Sequence, residues 1–175
     1  MDLKDKKIGF AMCGSFCTFK KAMAAARAVK ECGADIMPIM SETSYNTDTR
    51  FGTAEDFRNE LKEITGKDII STIKDAEPLG PKAMLDILVI IPCTGNTLAK
   101  LANGIADSSV TLAAKAHLRN CRPLVIAVST NDGLGAAAQN IGKLLARRHI
   151  YFVPFGQDDC IHKPNSLVAN FTLLP

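Results

Sequence analysis

The stretch DILVIIPCTGNTLAKLANGIAD, Asp86–Asp107, decides how the rest of the chain is read. Ile87 to Ile91 is an unbroken apolar run, the pattern of a strand covered on both faces. It stops at Pro92, passes through small and polar residues, and resumes as a helical pattern from Thr97. RPLVIAVS (Arg122–Ser129) has the same two-faced apolar character. Shorter runs at KKIGFAM (Lys6–Met12), ADIMPIM (Ala34–Met40) and IYFVPF (Ile150–Phe155) read as further strands, with Pro38 marking a place near the sheet edge or a strand end.

Helical patterns fill the gaps. Ala22, Ala25, Ala26 and Val29 recur at helical spacing before a stop at Gly33. Thr53 caps a helix that runs to Gly66. Two successive helices follow Thr94, and another is expected over Gly133–His149, with Arg147, Arg148 and His149 at its C-terminal dipole. A short helix within residues 67–84 is expected to close at Pro78 and Pro81, and residues 41–52 read as a polar loop. The tail from Gly156 has no clear period. Strands alternating with helices predict one α/β domain over residues 1–175, a three-layer, doubly wound parallel sheet of flavodoxin-like or Rossmann-like type.

Composition narrows the function. The chain has 175 residues, 47% of them hydrophobic, and a net charge of +3 with scattered basic residues. That balance argues against nucleic acid, and no apolar run is long enough to span a membrane. The lysines before IGFAMCGSF imitate a signal peptide, but Lys20 and Lys21 follow too soon, so a cytoplasmic protein is expected. Six cysteines occur without a C-x-x-C pair, which predicts small buried thiols and no metal site.

In a doubly wound sheet the ligand lies beyond the carboxyl ends of the strands. Those ends carry CGSFCT, SETS, PCTGNT and STNDGLG. Gly14 and Ser15 offer a tight turn and a hydroxyl, Ser41 another hydroxyl, and Thr94, Asn96, Thr97 and Asn131 further donors and acceptors. Gly95, Gly133 and Gly135 are expected to allow close approach to the backbone. Neither a Walker A lysine nor a G-x-G-x-x-G is present, so the clusters favour a planar, phosphate-bearing cofactor other than a dinucleotide. FGQDDCIHKPNS gathers Asp158, Asp159, Cys160, His162, Lys163 and Asn165.

PCTGNT and the LAKLANGIAD after it resemble the P-A-[ST]-A-N-T signature of the flavin-containing cysteine decarboxylase superfamily. Pro92, Thr94, Asn96 and Thr97 match it, and Cys93 and Gly95 replace its alanines. CGSFCTFK resembles the first glycine–serine loop of those enzymes. VSTNDGLG stands where they carry P-x-M-N-x-x-M-W, matching only the Asn, at Asn131. The resemblance implies FMN held by Gly14, Ser15, Ser41, Thr94, Asn96, Thr97 and Asn131, and a homo-oligomer, often a trimer. The decarboxylases' catalytic histidine would fall at Pro78, and the chain's histidines are His117, His149 and His162.

The resemblance therefore points away from decarboxylation. It implies the flavoprotein-type subunit of a dehydrogenase of spore-forming bacteria that aromatises a dihydropyridine dicarboxylate, with NAD(P) on its partner subunit. His162, Lys163 and Cys160 are the candidate catalytic residues, with His162, Lys163 and Asn165 as carboxylate clamps. Two alternatives remain: a non-catalytic assembly subunit, and an FMN-dependent decarboxylase or flavin prenyltransferase using Cys160 or Asp159.

Overall fold

A computed structural model describes residues 2–175. Five parallel strands form the body of the sheet: β1 (Lys7–Met12), β2 (Asp35–Met40), β3 (Ile87–Cys93), β4 (Leu124–Thr130) and β5 (Ile150–Phe152). They lie in the order β2-β1-β3-β4-β5, the flavodoxin-like order. The direction of winding reverses between β1 and β3. Pro38 lies on β2, the edge strand, as its missing N–H requires.

Successive side chains of each central strand point to opposite faces, and both faces are apolar. Phe10, Met12, Val89 and Ile91 pack with helices α1 (Phe19–Glu31) and α3 (Ala54–Thr65) and with Phe171. Ala11, Leu88, Ile90, Ile126 and Val128 pack with α4 (Ile73–Ala76), α5 (Gly95–Ala102), α6 (Ser109–Arg119) and α7 (Ala138–Leu145). This double burial is why β3 and β4 read as continuous Val/Ile/Leu runs. Thr53 caps α3 by accepting the Asp56 N–H, and Gly66 ends that helix in the left-handed conformation.

Several features depart from the sequence reading. The helix expected from Gly133 begins only at Ala138, because residues 133–137 form turns. An ideal Cβ on Gly133 would stand 2.5 Å from Leu167 Cγ, so the close approach there is made by a side chain of the chain itself. Arg147 does not cap its own helix: its guanidinium donates to the carbonyls of Leu101 (3.3 Å) and Ala102 (2.9 Å), at the C-terminal end of α5.

The segment IYFVPF divides at Pro154 into β5 and β6 (Phe155–Gly156), and the tail contributes β7 (Leu167–Ala169). β7 pairs antiparallel with β6 and with the end of β4, placing Leu167 opposite Thr130. The sheet is thus mixed, with seven strands, and parallel only in its main body. Finally, residues 41–52 are not wholly loop: Ser41 caps the five-residue helix α2 (Glu42–Asn46) by accepting the Ser44 N–H. No helix among the described residues is long and apolar enough to cross a membrane.

Candidate functional site

The winding reverses between β1 and β3, so their following loops diverge and leave a crevice. The turn after β3 builds its floor. Thr94 has extended backbone, and its hydroxyl accepts the Thr97 N–H at 3.2 Å, which starts α5. The Thr94 and Thr97 hydroxyls lie 3.1 Å apart. A helix start leaves its first N–H groups without intrahelical partners, and Thr94 satisfies that of Thr97.

The crevice has two lobes that share Gly14 and Thr94. The first, about 300 Å³, lies toward β2 and is lined by hydroxyls from Ser41, Thr43, Thr94, Thr97 and Ser108, with Asn96. Its charged groups are committed. Lys100 pairs with Asp107 at 2.8 Å, and that hydrogen bond holds the Asp107 carboxyl below its usual range. Glu42 accepts the Ser109 N–H at 3.2 Å, at the start of α6, where a helix favours an anion.

The second lobe, about 410 Å³, lies toward β4. Ser15, Phe16, Cys17 and Phe51 form one part of its lining, and Gly95 and Ser129–Asp132 another. Ser129 is 3% exposed, and its hydroxyl meets those of Ser15 at 2.8 Å and Thr18 at 3.3 Å. Thr18 donates to the Ser15 carbonyl at 2.8 Å. The β1 turn is thereby tied to the end of β4. The space above Gly95 is not open to a ligand: an ideal Cβ there would stand 2.7 Å from both Asp132 Oδ1 and Thr130 Oγ1. The Thr130 hydroxyl donates to that Asp132 carboxylate.

All seven residues expected at a cofactor, Gly14, Ser15, Ser41, Thr94, Asn96, Thr97 and Asn131, line one lobe or both. The three expected catalytic residues do not. Cys160, His162 and Lys163 lie on the exposed segment between β6 and β7, where His162 pairs with Asp159 (3.1 Å) and Lys163 with Asp158 (3.4 Å). At its base this segment meets the turn after β4, where the Leu134 N–H donates to the Asn165 carbonyl at 3.0 Å.

No histidine lines either lobe. His117 is buried in α6 with Nε2 3.0 Å from the Pro123 carbonyl, and burial lowers its pKa. Sequence reasoning missed Lys100, Ser129 and Phe51. Lys100 was within reach, since it follows Asn96 by four residues and Thr97 by three on one helical face. Ser129 was within reach too, at the head of the STNDGLG strand end, whereas Phe51 reaches the crevice by tertiary packing, which no local pattern signals.

Two thiols lie beneath the crevice. Burial pushes the Cys13 thiol up to about 11 against the help of hydrogen bonds from Thr97 and Thr94, and burial also raises Cys93 well above its usual value. Both groups therefore stay protonated at neutral pH, and a thiol is a poor nucleophile. A disulfide reagent at pH 8 is expected to label the exposed Cys17, Cys121 and Cys160 promptly, and Cys13 and Cys93 only on unfolding. Mass mapping of labelled peptides checks this. The Cys13 contribution to stability is complete below pH 9, the ordinary thiol value, and is lost as pH rises toward 11.

The class follows from fold and crevice together. Residues 1–163 match the Flavoprotein family model, and the chain belongs to that family. Within it, the chain is 45% identical to the B subunit of dipicolinate synthase from Bacillus subtilis (strain 168), over 99% of this chain and 86% of that protein. The crystal structure of the corresponding dipicolinate synthase B subunit from Bacillus halodurans C superposes with a TM-score of 0.91 at 44% identity, covering 100% of this chain and 90% of that one. The FMN-dependent cysteine decarboxylase SpaF, 22% identical with a TM-score of 0.73 over 97% of this chain and 92% of its own, shares the fold.

Proposed function

We propose that this chain is the flavin-binding B subunit of a dipicolinate synthase. It acts with the nicotinamide-binding partner subunit of the same enzyme, in the cytoplasm of a spore-forming mother cell. Together they oxidise dihydrodipicolinate to dipicolinate. The carrying observation is the two-lobed crevice at the β1/β3 switch point, in a chain 45% identical to a dipicolinate synthase B subunit.

The crevice suits FMN by its donor set. Hydroxyls of Ser41, Thr94 and Thr97, the Asn96 amide and the start of α5 would hold a phosphate in the first lobe. In the second lobe, Gly14, Ser15 and Asn131 would meet a flat ring, with Phe16 and Phe51 beside it. Bound flavin supplies a two-electron centre. Aromatisation removes a hydride and a proton from the substrate ring; the hydride ends on the partner's NAD(P)+ as NAD(P)H, and the proton passes to solvent. This chain's residues position the ring and exclude water. His162, Lys163 and Cys160 contribute where the crevice of a neighbouring copy abuts their exposed loop, which requires a homo-oligomer.

The test combines purified chain, the nicotinamide-binding partner, dihydrodipicolinate and NAD(P)+. The expected result is NAD(P)H formation only with both proteins present, and visible flavin absorbance in the chain after incubation with FMN. A second reading, an assembly subunit without catalytic residues, is favoured by the absence of histidine from the crevice lining. Full turnover by the nicotinamide-binding partner on its own supports that second reading and sinks the first.

A further inference from the structure

The second lobe contains one fixed carboxylate, Asp132, and none of its lining residues is cationic. A dicarboxylate entering it lacks a counter-charge on the walls. The segment between α2 and α3 offers one, next to a lining residue. There, Thr49 and Gly52 exchange backbone hydrogen bonds at 3.1 and 3.2 Å, and the Thr49 hydroxyl accepts the Phe51 N–H at 3.2 Å. The Asp48 carboxylate accepts the Ala54 N–H at 2.8 Å, tying this tight turn to the start of α3. The turn presents Phe51 to the lobe, 39% exposed, with the Arg50 guanidinium 4.9 Å from the centre of its ring. Arg50 makes no ion pair with any described residue, so its guanidinium is free to take a ligand carboxylate.

We propose that Arg50 and Phe51 form the substrate clamp of this crevice: the guanidinium takes one carboxylate of a planar pyridine dicarboxylate, and the phenyl ring packs against the heterocycle. The inference rests on the proposed function and adds the recognition element that reading lacks. A guanidinium stacked on an aromatic face keeps its planar fork free for two parallel hydrogen bonds to a carboxylate. Stacking also holds the long side chain in place, which reduces what binding must order. Lys163, the cation expected from the sequence, stands off this lobe.

The test uses the full chain with its nicotinamide-binding partner, and dipicolinate as a stable probe of the clamp, titrated calorimetrically. Arg50→Gln is expected to weaken dipicolinate binding by about tenfold to a hundredfold, the range of a charge-assisted bidentate contact. It should raise KM for dihydrodipicolinate to match, with kcat and FMN affinity unchanged. Arg50→Lys should recover only part of the loss, since an ammonium has no fork, and Phe51→Leu should weaken dipicolinate binding. Wild-type dipicolinate affinity in Arg50→Gln overturns the clamp, as does a loss confined to FMN, which would make Arg50 a cofactor contact. Absence of both dipicolinate binding and turnover in the wild-type pair overturns the dipicolinate synthase reading itself, a result distinct from either.

Discussion

Gly133→Val is expected to destabilise the fold by about 2–3 kcal/mol and to abolish most flavin affinity. The backbone at Gly133 needs no left-handed conformation; what it needs is room. A Cβ would stand 2.6 Å from Leu167 Cβ and 2.5 Å from its Cγ, atoms too near the backbone of β7 to swing aside. Leu167 is buried and paired with Thr130, so the turn or β7 itself must move. Either shift pulls on Asn131 and Asp132, which line the second lobe two residues and one residue before the glycine.

A double-mutant cycle separates this cause from a general turn defect. Leu167→Ala alone leaves a cavity and costs about 2–5 kcal/mol, but it also removes two of the three obstructing atoms, Cγ and Cδ1, and leaves only Cβ. The two changes together should cost less than their sum, with a coupling of about 1–3 kcal/mol. Urea denaturation of the four proteins measures it. Strict additivity would show that Gly133 is not there to admit Leu167.

The main body of the sheet was legible because burial on both faces writes itself into composition. Ile87–Ile91 and Leu124–Val128 carry no polar residue, and only a covered parallel strand tolerates that. Caps at Thr53 and Thr94 were legible because a hydroxyl before a helical period has one dominant use. β7 was not. Three residues, Leu-Val-Ala, give no period, and their pairing with β4 is a contact between segments nearly forty residues apart. The helix boundary at Ala138 was missed for a related reason, since the turns before it meet Leu167 and the Asn165 carbonyl, far along the chain.

The candidate site divides in the same way. Residues just beyond strand ends converge on the crevice because the topology of the sheet brings them there, whatever the side chains are. Density of reactive side chains is a weaker guide. Asp158, Asp159, Cys160, His162 and Lys163 crowd one loop, yet they pair mainly among themselves in solvent. Phe51 and Ser129, chemically bland in the sequence, line the second lobe.

Thr94 belongs to both lobes and to the cap of α5, so Thr94→Ala should show two separable losses. Removing the cap costs about 1 kcal/mol, which in a chain of this size lowers Tm by about 2–4 °C. Removing the hydroxyl from the shared wall of the crevice should weaken FMN binding by about tenfold or more, since one hydrogen bond and the Thr97 orientation it supports go together. Thr94→Ser keeps the oxygen and should restore both. Thr94→Val keeps the shape without the oxygen, so it should lose both while leaving the lobe volumes unchanged. Thermal melts report the first quantity and flavin fluorescence titration the second. A variant that loses the Tm increment but keeps full FMN affinity would reduce Thr94 to a helix cap and move the phosphate contact onto Ser41, Asn96 and Thr97. Loss of FMN affinity in Thr94→Ser as well would instead point to the methyl group.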